Sequence, residues 1–300
     1  MSRVEPDWLK AGQGERPALA WSIALDAPLA GLAFAGESSE LLAVDTAGGL
    51  YLLDRHGRVK TLTRGFKSLT ALAWSDTGRN GAVATGRSKL SWFDHKLSVK
   101  WSVAMPAEIL CLAVDPHGHY IAVSLSNSET IFFNARKQEV GRFKTIRPLR
   151  YLHFNAVRPV ILGAAEYGLM CCHRLDKRGT EVWSERLWSN VGDMTVTGDG
   201  RQIYLARFNQ GVQILNRRGK NNGSYLVEGT PSHVSTSFVH NRLGVATVER
   251  DIYWLDAEGE LIWATHLPDD ISGILADAQG TGVACGLRSG RIYRLEWPAS

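Results

Sequence analysis

The sequence is poor in cysteine and lacks the short motifs that mark common enzymes. Its 300 residues include four cysteines, which fall in predicted strands and form no paired framework, as is typical of a reducing compartment. No nucleophile elbow, zinc-protease helix, phosphate-binding glycine loop or dinucleotide fingerprint occurs. Carboxylates are common, but local spacing fixes no pair of them. We therefore predict a protein that is not an enzyme.

Long apolar runs are also missing. No stretch approaches about 18 apolar residues, so no transmembrane helix is expected. Residues 1–16 carry charges throughout and contain no apolar segment, which predicts that they are not a secretory signal. Together with the unpaired cysteines, these features favour a cytoplasmic protein.

Two groups of residues have the composition of a metal site, and the predicted local structure argues against both. Cys171, Cys172 and His173 are consecutive, and consecutive residues on a strand point to opposite faces, so they do not converge on one ion. His117 and His119 lie in the turn sequence DPHGH with no third ligand nearby. We predict neither a metal nor another cofactor.

A step from a large apolar residue to an acidic or amide residue recurs seven times. Successive steps are 40, 40, 42, 40, 40 and 40 residues apart. The polar residues of the seven steps are Asp54, Asp94, Asn134, Asp176, Asn216, Asp256 and Glu296. Short strands with a similar period open at Leu29, Leu69, Ile109, Leu149, Val191, Val234 and Ile271.

A period of about 40 to 45 residues with four short strands per repeat is typical of a propeller blade, and helical periodicity is absent. One four-stranded sheet cannot bury both faces alone, but neighbouring sheets stacked around an axis bury them. We therefore predict an all-β protein, a seven-bladed β-propeller of four-stranded antiparallel blades.

The two ends of the chain predict how the ring closes. The seventh repeat runs out after its third strand, Arg291 to Glu296, while Ala18 to Leu25 forms an unattached strand. Its core, WSIAL, matches the fourth-strand segments WSVAM, WSERL and WATHL of other repeats. We predict that this N-terminal strand completes the last blade, which removes an open sheet edge. The propeller then spans residues 17–300, preceded by a tail of residues 1–16.

Several turns carry a resemblance to known families over residues 17–300. The segments SDTGR (75–79), DPHGH (115–119) and TGDGR (197–201) resemble turns of WD40 repeats. The segment LDAEGELIWATHL (255–267) is similar to quinoprotein-type and outer-membrane-assembly propellers. No blade carries a Gly-His or a Trp-Asp dipeptide in the WD40 position, and the calcium and quinone ligands of quinoproteins have no counterpart. The resemblance therefore implies a propeller and no cofactor.

The innermost strands are mostly small and apolar, but two blades place polar residues there. These are Arg150, Tyr151 and His153 in blade 4 and Asp193 in blade 5. Charged groups in a narrow channel need partners or water. One interpretation is an ion pair of Arg150 or His153 with Asp193. The other is a polar pocket at the channel mouth, surrounded by loop residues that include Arg87, Asn127, Glu166, Tyr167, Phe208, Asn209, Arg250 and Arg288.

The predicted hairpin turns between third and fourth strands are basic in most repeats. The main members are Arg136, Lys137, Lys177, Arg178, Arg217 and Arg218. Equivalent turns lie on one rim, so a broken basic ring is expected, which could bind an acidic protein, nucleic acid or an anionic membrane. A net charge of only +4 and the acidic sixth turn favour a solvated face instead. No aromatic residues interleave these turns for base stacking, so we expect neither nucleic acid nor membrane as a partner.

Nearly all residues belong to the predicted blades and their short loops, and no insertion is present that could carry a catalytic site. By analogy with other propellers, we expect a non-catalytic scaffold for protein–protein interaction, a monomeric propeller within a multiprotein complex that uses the loop-rich face and its channel mouth. The alternative is an enzyme or small-ligand-binding propeller with a polar site around Arg150, His153 and Asp193.

Overall fold

The computed structural model describes residues 5–298, and its secondary structure is almost entirely strand. The elements in chain order are α1 (Asp7–Lys10), β1 (Gln13–Gly14), β2 (Ala18–Ala24), β3 (Leu29–Ala35), β4 (Glu40–Asp45), β5 (Gly49–Leu53), β6 (Val59–Arg64), β7 (Leu69–Trp74), β8 (Asn80–Thr85), β9 (Lys89–Asp94), β10 (Val99–Ala104), β11 (Ile109–Val114), β12 (Tyr120–Leu125), β13 (Glu129–Asn134), β14 (Glu139–Lys144), β15 (Tyr151–Phe154), β16 (Val160–Ala164), β17 (Met170–Arg174), β18 (Glu181–Glu185), β19 (Val191–Val196), β20 (Gln202–Arg207), β21 (Gly211–Asn216), β22 (Asn221–Tyr225), β23 (Pro231–Thr236), β24 (Arg242–Thr247), β25 (Asp251–Asp256), β26 (Leu261–His266), β27 (Ile271–Ala276), β28 (Gly282–Leu287) and β29 (Arg291–Glu296).

These strands form seven antiparallel sheets, which confirms the predicted seven-bladed propeller. Blades 1 to 6 each use four consecutive strands, beginning with β3, β7, β11, β15, β19 and β23. Blade 7 consists of β27, β28 and β29, completed by β2 from the other end of the chain. In that pair Trp21 lies opposite Arg294. The predicted closure by the N-terminal strand is therefore confirmed.

The core lies between blades. In the layer between blades 1 and 2, for example, Leu42, Val44 and Leu50 pack against Trp74 and Phe93, all of them buried. Because the first strand of each blade lies nearest the axis, small apolar residues there let seven blades approach one another. Each sheet therefore buries both faces only inside the closed ring.

The repeated acidic or amide residue closes the hairpin between third and fourth strands. One carboxylate oxygen of Asp54 accepts hydrogen bonds from the amides of His56 and Arg58, at 2.8 and 2.9 Å. The same pair of bonds is made by Asp94, Asn134, Asp176, Asn216 and Asp256. Acidic and amide side chains favour such turns because they bond their own backbone two residues further on. This local requirement explains the period of the sequence.

Tryptophans of three fourth strands bond the next blade around the ring. The indole nitrogens of Trp21, Trp101 and Trp183 donate to the turn carbonyls of Arg55, Ala135 and Arg217, at 2.9, 2.9 and 3.1 Å. Each accepting turn joins the third and fourth strands of the following blade. The contact places a large aromatic ring, buried at Trp21 and partly exposed at Trp101 and Trp183, and a hydrogen bond between two neighbouring sheets.

Blade 7 has no such turn, because its third and fourth strands come from opposite ends of the chain. The N-terminal segment Asp7–Glu15 takes its place beside Trp263 of blade 6. Leu9 is fully buried, and Gly12 lies so close to the Trp263 ring that no side chain would fit there. Strand β1 pairs with β26, and the carbonyl of Glu15 accepts a bond from Trp297 Nε1 at 2.7 Å. Residues 1–4 of the predicted tail, like 299–300, lie outside the described residues.

Two predicted strand positions were wrong. The first strand of blade 6 is β23, which begins at Pro231 rather than Val234, and that of blade 4 begins at Tyr151 rather than Leu149. The prediction placed the strand on the residues with the highest β-propensity. The start of β23 is instead determined by its pairing with β24, although the paired segment contains a proline and polar residues. Within residues 5–298, no helix is long and apolar enough to cross a membrane.

Candidate interaction surface and central cavity

The propeller has two faces, which carry different connections between strands. We call the side that carries the second-to-third-strand loops and the connections between blades the loop face. The opposite side, the turn face, carries the first-to-second-strand and third-to-fourth-strand turns. Antiparallel strands place these two sets of connections at opposite ends of each blade. The predicted channel mouth lies on the loop face, and the predicted basic rim lies on the turn face.

Asp193 binds backbone amides in the channel rather than a cation. Its carboxylate accepts from Met194 N at 2.8 Å and, across the blade boundary, from Val234 N at 3.0 Å. Within residues 5–298 its carboxylate forms no ion pair with Arg150 or His153, so the interpretation as an ion pair is wrong. Burial raises the pKa of Asp193 to about 7.

His233 is a channel residue that the sequence analysis missed. It occupies the third position of β23, which corresponds to Tyr151 in blade 4 and Asp193 in blade 5. The Tyr151 hydroxyl donates to the carbonyl of Val191 at 3.0 Å. Burial lowers the pKa of both His153 and His233, so these rings favour the neutral form. With the correct strand register for blade 6, the sequence would have predicted that Tyr151, Asp193 and His233 occupy equivalent channel positions in blades 4 to 6.

The buried carboxyl of Asp193 predicts a pH-dependent stability. Between its ordinary pKa of 3.8 and its folded value of about 7, the folded state binds more protons than the unfolded state. Wild-type stability is therefore lost as pH rises through this window. Asp193→Asn cannot ionise at this position. We therefore expect the difference in unfolding free energy between the variant and wild type to shift in favour of the variant as the pH rises from 5 to 8. Urea unfolding across this range measures the difference, and a constant difference would contradict the assignment.

The predicted loop-face residues are only partly brought together. Arg250 and Arg288 share Asp270, with N–O distances of 2.9 and 3.5 Å. Phe208 is half-buried against Gly192, where an added Cβ would lie 2.8 Å from the ring. Arg150 is exposed. Thus two arginines form a small network, whereas Phe208 has a packing role.

Large exposed side chains elsewhere on the loop face were not predicted. Trp188 is 67% exposed, Ile146 85% and Leu226 86%, and all three lie in connections between consecutive blades. The guanidinium of Arg186 lies 4.1 Å from the centre of the Trp188 ring, and that of Arg147 lies 5.7 Å from the Tyr167 ring. We call Arg147, Tyr167, Arg186 and Trp188 the arginine–aromatic patch. Trp, Tyr and Arg are the residue types that dominate binding energy at protein interfaces.

The basic rim is present as separate exposed turns on the turn face. Arg136, Lys137, Lys177, Arg178, Arg217 and Arg218 are all exposed. The Lys137 ammonium donates to the carbonyl of Ser102 at 2.9 Å. The sixth turn carries Glu258 and Glu260, whose amides bond Asp256. The ring is therefore interrupted at blade 6, as expected from the sequence.

A cavity of about 750 Å³ opens on the turn face, at the axis. All seven blades contribute to its wall, mainly through first-to-second-strand turns. Among the predicted channel residues, His153 reaches this cavity. Its wall also includes Glu37, Asp76 and Phe238. The cavity thus lies at the opposite end of the axis from the pocket that the sequence predicted.

The fold is similar to that of a solved propeller. The β-propeller domain of Cps50 (Swd1) from Myceliophteria thermophila aligns with a TM-score of 0.80 and 17% identity, covering 94% of this chain and 99% of that one. The shared architecture is the β-propeller. At this identity the likeness concerns the fold alone. No protein-family model matches the sequence, and no curated protein matches it.

The cysteine and histidine residues of blade 4 diverge inside the propeller. Cys171 packs in the core layer with Phe143 and Leu149, whereas Cys172 packs in the layer on the other side of the blade. His173 stacks on Phe143 with 3.7 Å between ring centres. Burial raises the pKa of both thiols. Across residues 5–298, no group of three His, Cys, Asp or Glu side chains is placed to hold a metal ion.

Proposed function

We propose that this propeller is a non-catalytic scaffold that binds a partner protein through its loop face. The observation that carries the proposal is the arginine–aromatic patch, with Trp188 67% exposed beneath the Arg186 guanidinium. An exposed indole is costly in water unless another surface covers it, and a rigid aromatic ring loses little conformational entropy on binding.

The patch also suggests the chemistry of the partner. Arg147, Arg150 and Arg186 are exposed on this face, and within residues 5–298 none of them is paired with a carboxylate. A partner with an apolar anchor for Trp188 and acidic residues around it would match both features. We expect a monomeric propeller in a larger cytoplasmic assembly, with neither nucleic acid nor membrane as the partner.

Replacement of Trp188 by alanine is expected to abolish partner binding without affecting the fold. Interface tryptophans cost about 2 kcal/mol or more when truncated, which is roughly 30-fold or more in affinity. Affinity capture from native lysate with quantitative mass spectrometry identifies the partner of wild type, and titration with the purified partner then measures the loss. The matched control is Leu62→Ala on the outer strand of blade 1, where the side chain is 41% exposed.

A variant of the turn face separates the two faces of the molecule. Charge reversal of Arg136, Lys137, Arg217 and Arg218 together is expected to leave partner affinity unchanged. Equal losses from this variant and from Trp188→Ala would contradict a loop-face interface. Retention of wild type on heparin or anionic liposomes that this variant abolishes would identify the basic rim as the binding surface instead.

The cavity on the turn face favours ligand binding in the channel as a second candidate function. Its volume of about 750 Å³ lies in the usual range for small-molecule sites, about 300 to 1,000 Å³. Native mass spectrometry of the purified propeller tests this candidate, because a tightly bound small molecule would add a defined mass. Absence of any binding to the cavity leaves the scaffold as the function.

A further inference from the structure

The cavity has an apolar inner wall and a fixed aromatic ring at its mouth. Phe34, Phe154 and Leu275 line the wall, and Phe238, which is 50% exposed, also borders the cavity. The backbone beside Phe238 is held by two bonds, because its carbonyl accepts from Gly198 N at 3.1 Å and Val239 N donates to the carbonyl of Ala278 at 3.2 Å. The turn that carries this half-exposed ring is thus bonded to the blades on both sides of it.

Most charged groups in the wall are occupied by the fold. Arg294 binds Asp277 and lies 3.3 Å from a Glu296 oxygen. The Asp54 carboxylate accepts two amides of its own turn. Arg55 lies in this exposed turn with its Nε 3.0 Å from a ring nitrogen of His56. These groups therefore have structural partners.

Glu37 and Asp76 differ from those groups. They lie on neighbouring blades, and Glu37 N donates to the carbonyl of Asp76 at 2.9 Å. Over residues 5–298 neither carboxylate forms an ion pair. Burial, and after it the charge of Glu37, raises the pKa of Asp76 to about 6. Asp115 acts in the same direction, whereas His117 and the amide of Gly36 oppose it.

His153 adds a polar group to this cavity without adding positive charge. It lies deep in the channel, where burial lowers its pKa, and it hydrogen-bonds the backbone of Met194. Within residues 5–298 the cavity therefore combines two carboxylates that form no ion pair, a neutral imidazole and aromatic rings. A cation would relieve the repulsion of the carboxylates, and its apolar stem would contact the rings.

We propose that this cavity binds a guanidinium or primary ammonium group carried on an apolar stem, with Asp76 and Glu37 as anionic contacts and Phe238 beside the stem. An arginine or lysine side chain of a protein and a free small-molecule amine offer the same chemistry. The site lies at the opposite end of the axis from the arginine–aromatic patch, so it is a second binding site and does not depend on the scaffold function.

Titration of the 300-residue protein with defined cations tests the site. The probes are the blocked peptide Ala-Ala-Arg-Ala-Ala, the same peptide with citrulline in place of arginine, and agmatine, each followed by NMR and calorimetry at pH 7.5. We expect the arginine peptide or agmatine to bind at least about tenfold more tightly than the citrulline peptide, which has nearly the same shape without the charge. Tighter binding of the peptide assigns the site to a protein side chain, and tighter binding of agmatine assigns it to a free amine.

Variants and pH identify the contacts. Asp76→Asn keeps the shape of the side chain and is expected to weaken cation binding at least about tenfold. Lowering the pH from 7.5 to 5 protonates Asp76, whose pKa is about 6, so wild-type affinity should fall as pH falls, while that of Asp76→Asn changes less. Trp188→Ala should leave cation affinity unchanged, which separates this site from the scaffold function.

Equal binding of the arginine and citrulline peptides, or binding unaffected by Asp76→Asn, would overturn the proposal. So would the failure of both cations to bind. Should Asp76→Asn fold poorly, Phe238→Ala provides the second variant, because its ring is half exposed and contributes little to the core. It is expected to weaken binding of the arginine peptide, and an unchanged affinity would remove Phe238 from the site.

Discussion

A chain that begins at Asp26 is expected not to fold as a monomeric propeller. It lacks β2, so the outer edge of β29 loses its partner strand and blade 7 keeps only three strands. Among the residues lost, Trp21 is buried. Its indole nitrogen donates to Arg55 O at 2.9 Å, and its ring packs on Gly57. Truncation of a buried Trp costs about 3 to 5 kcal/mol, which by itself is a large part of the roughly 5 to 15 kcal/mol that stabilises a typical domain.

Size-exclusion chromatography and near-UV circular dichroism measure this loss. We expect aggregation or an expanded species, because the unpaired edge of β29 is a template for other strands. A synthetic peptide of residues 5–25 added during refolding should restore the native spectrum, and the same peptide with Trp21→Ala should restore much less. A compact, monomeric truncated chain with the native spectrum would show that closure is not required.

The blade architecture could be predicted because one local requirement repeats. Asp54 and its equivalents each close a hairpin with two backbone bonds, so the turn selects the same side-chain chemistry about every 40 residues. Closure was predictable for a related reason, since Trp21 occupies the position of Trp101 and Trp183 and makes the same bond to the next blade. A local requirement that recurs in every blade produces a repeat in the sequence, and such a repeat can be recognised without the structure.

The candidate binding surfaces could not be predicted in the same way. Trp188 and Arg186 lie in a connection between blades, where neither spacing nor strand alternation fixes the direction of a side chain. Of the two interpretations of Asp193, the ion pair with a channel cation was wrong, since its carboxylate accepts from the backbone amide of Val234 on the next blade. His233 was missed because β23 is a strand set by pairing rather than by composition. The exposure of the Trp188 region, the partner of Asp193 and the position of His233 all depend on contacts between segments that are distant in the sequence.

The two faces of the propeller offer chemically different surfaces. The loop face presents aromatic rings under arginines, whereas the axial cavity of the turn face presents carboxylates near exposed Phe238. Because both rest on a closed ring of blades, the segments that hold the ring together control both sites. Variants of the N-terminal segment therefore test the architecture on which each proposed contact depends.

Leu9→Ala is expected to lower the free energy of unfolding by about 2 to 5 kcal/mol, the usual cost of truncating a fully buried leucine. The side chain lies in the core layer of blades 6 and 7 with Trp263 and Trp297. The segment around it is also held by two further contacts. Trp8 O accepts from the Thr265 hydroxyl at 2.5 Å, and the Trp8 ring lies 5.0 Å from that of Tyr293.

Urea unfolding measures this loss, with Leu226→Ala as the control because that leucine is 86% exposed and its truncation should cost less than about 0.5 kcal/mol. If Asp7–Glu15 only covered the surface, Leu9→Ala would behave like the control. If the segment replaces the missing turn of blade 7, the loss should match that of a core leucine, and the edge of blade 6 beside Trp263 should lose its protection from hydrogen exchange before the other blades do.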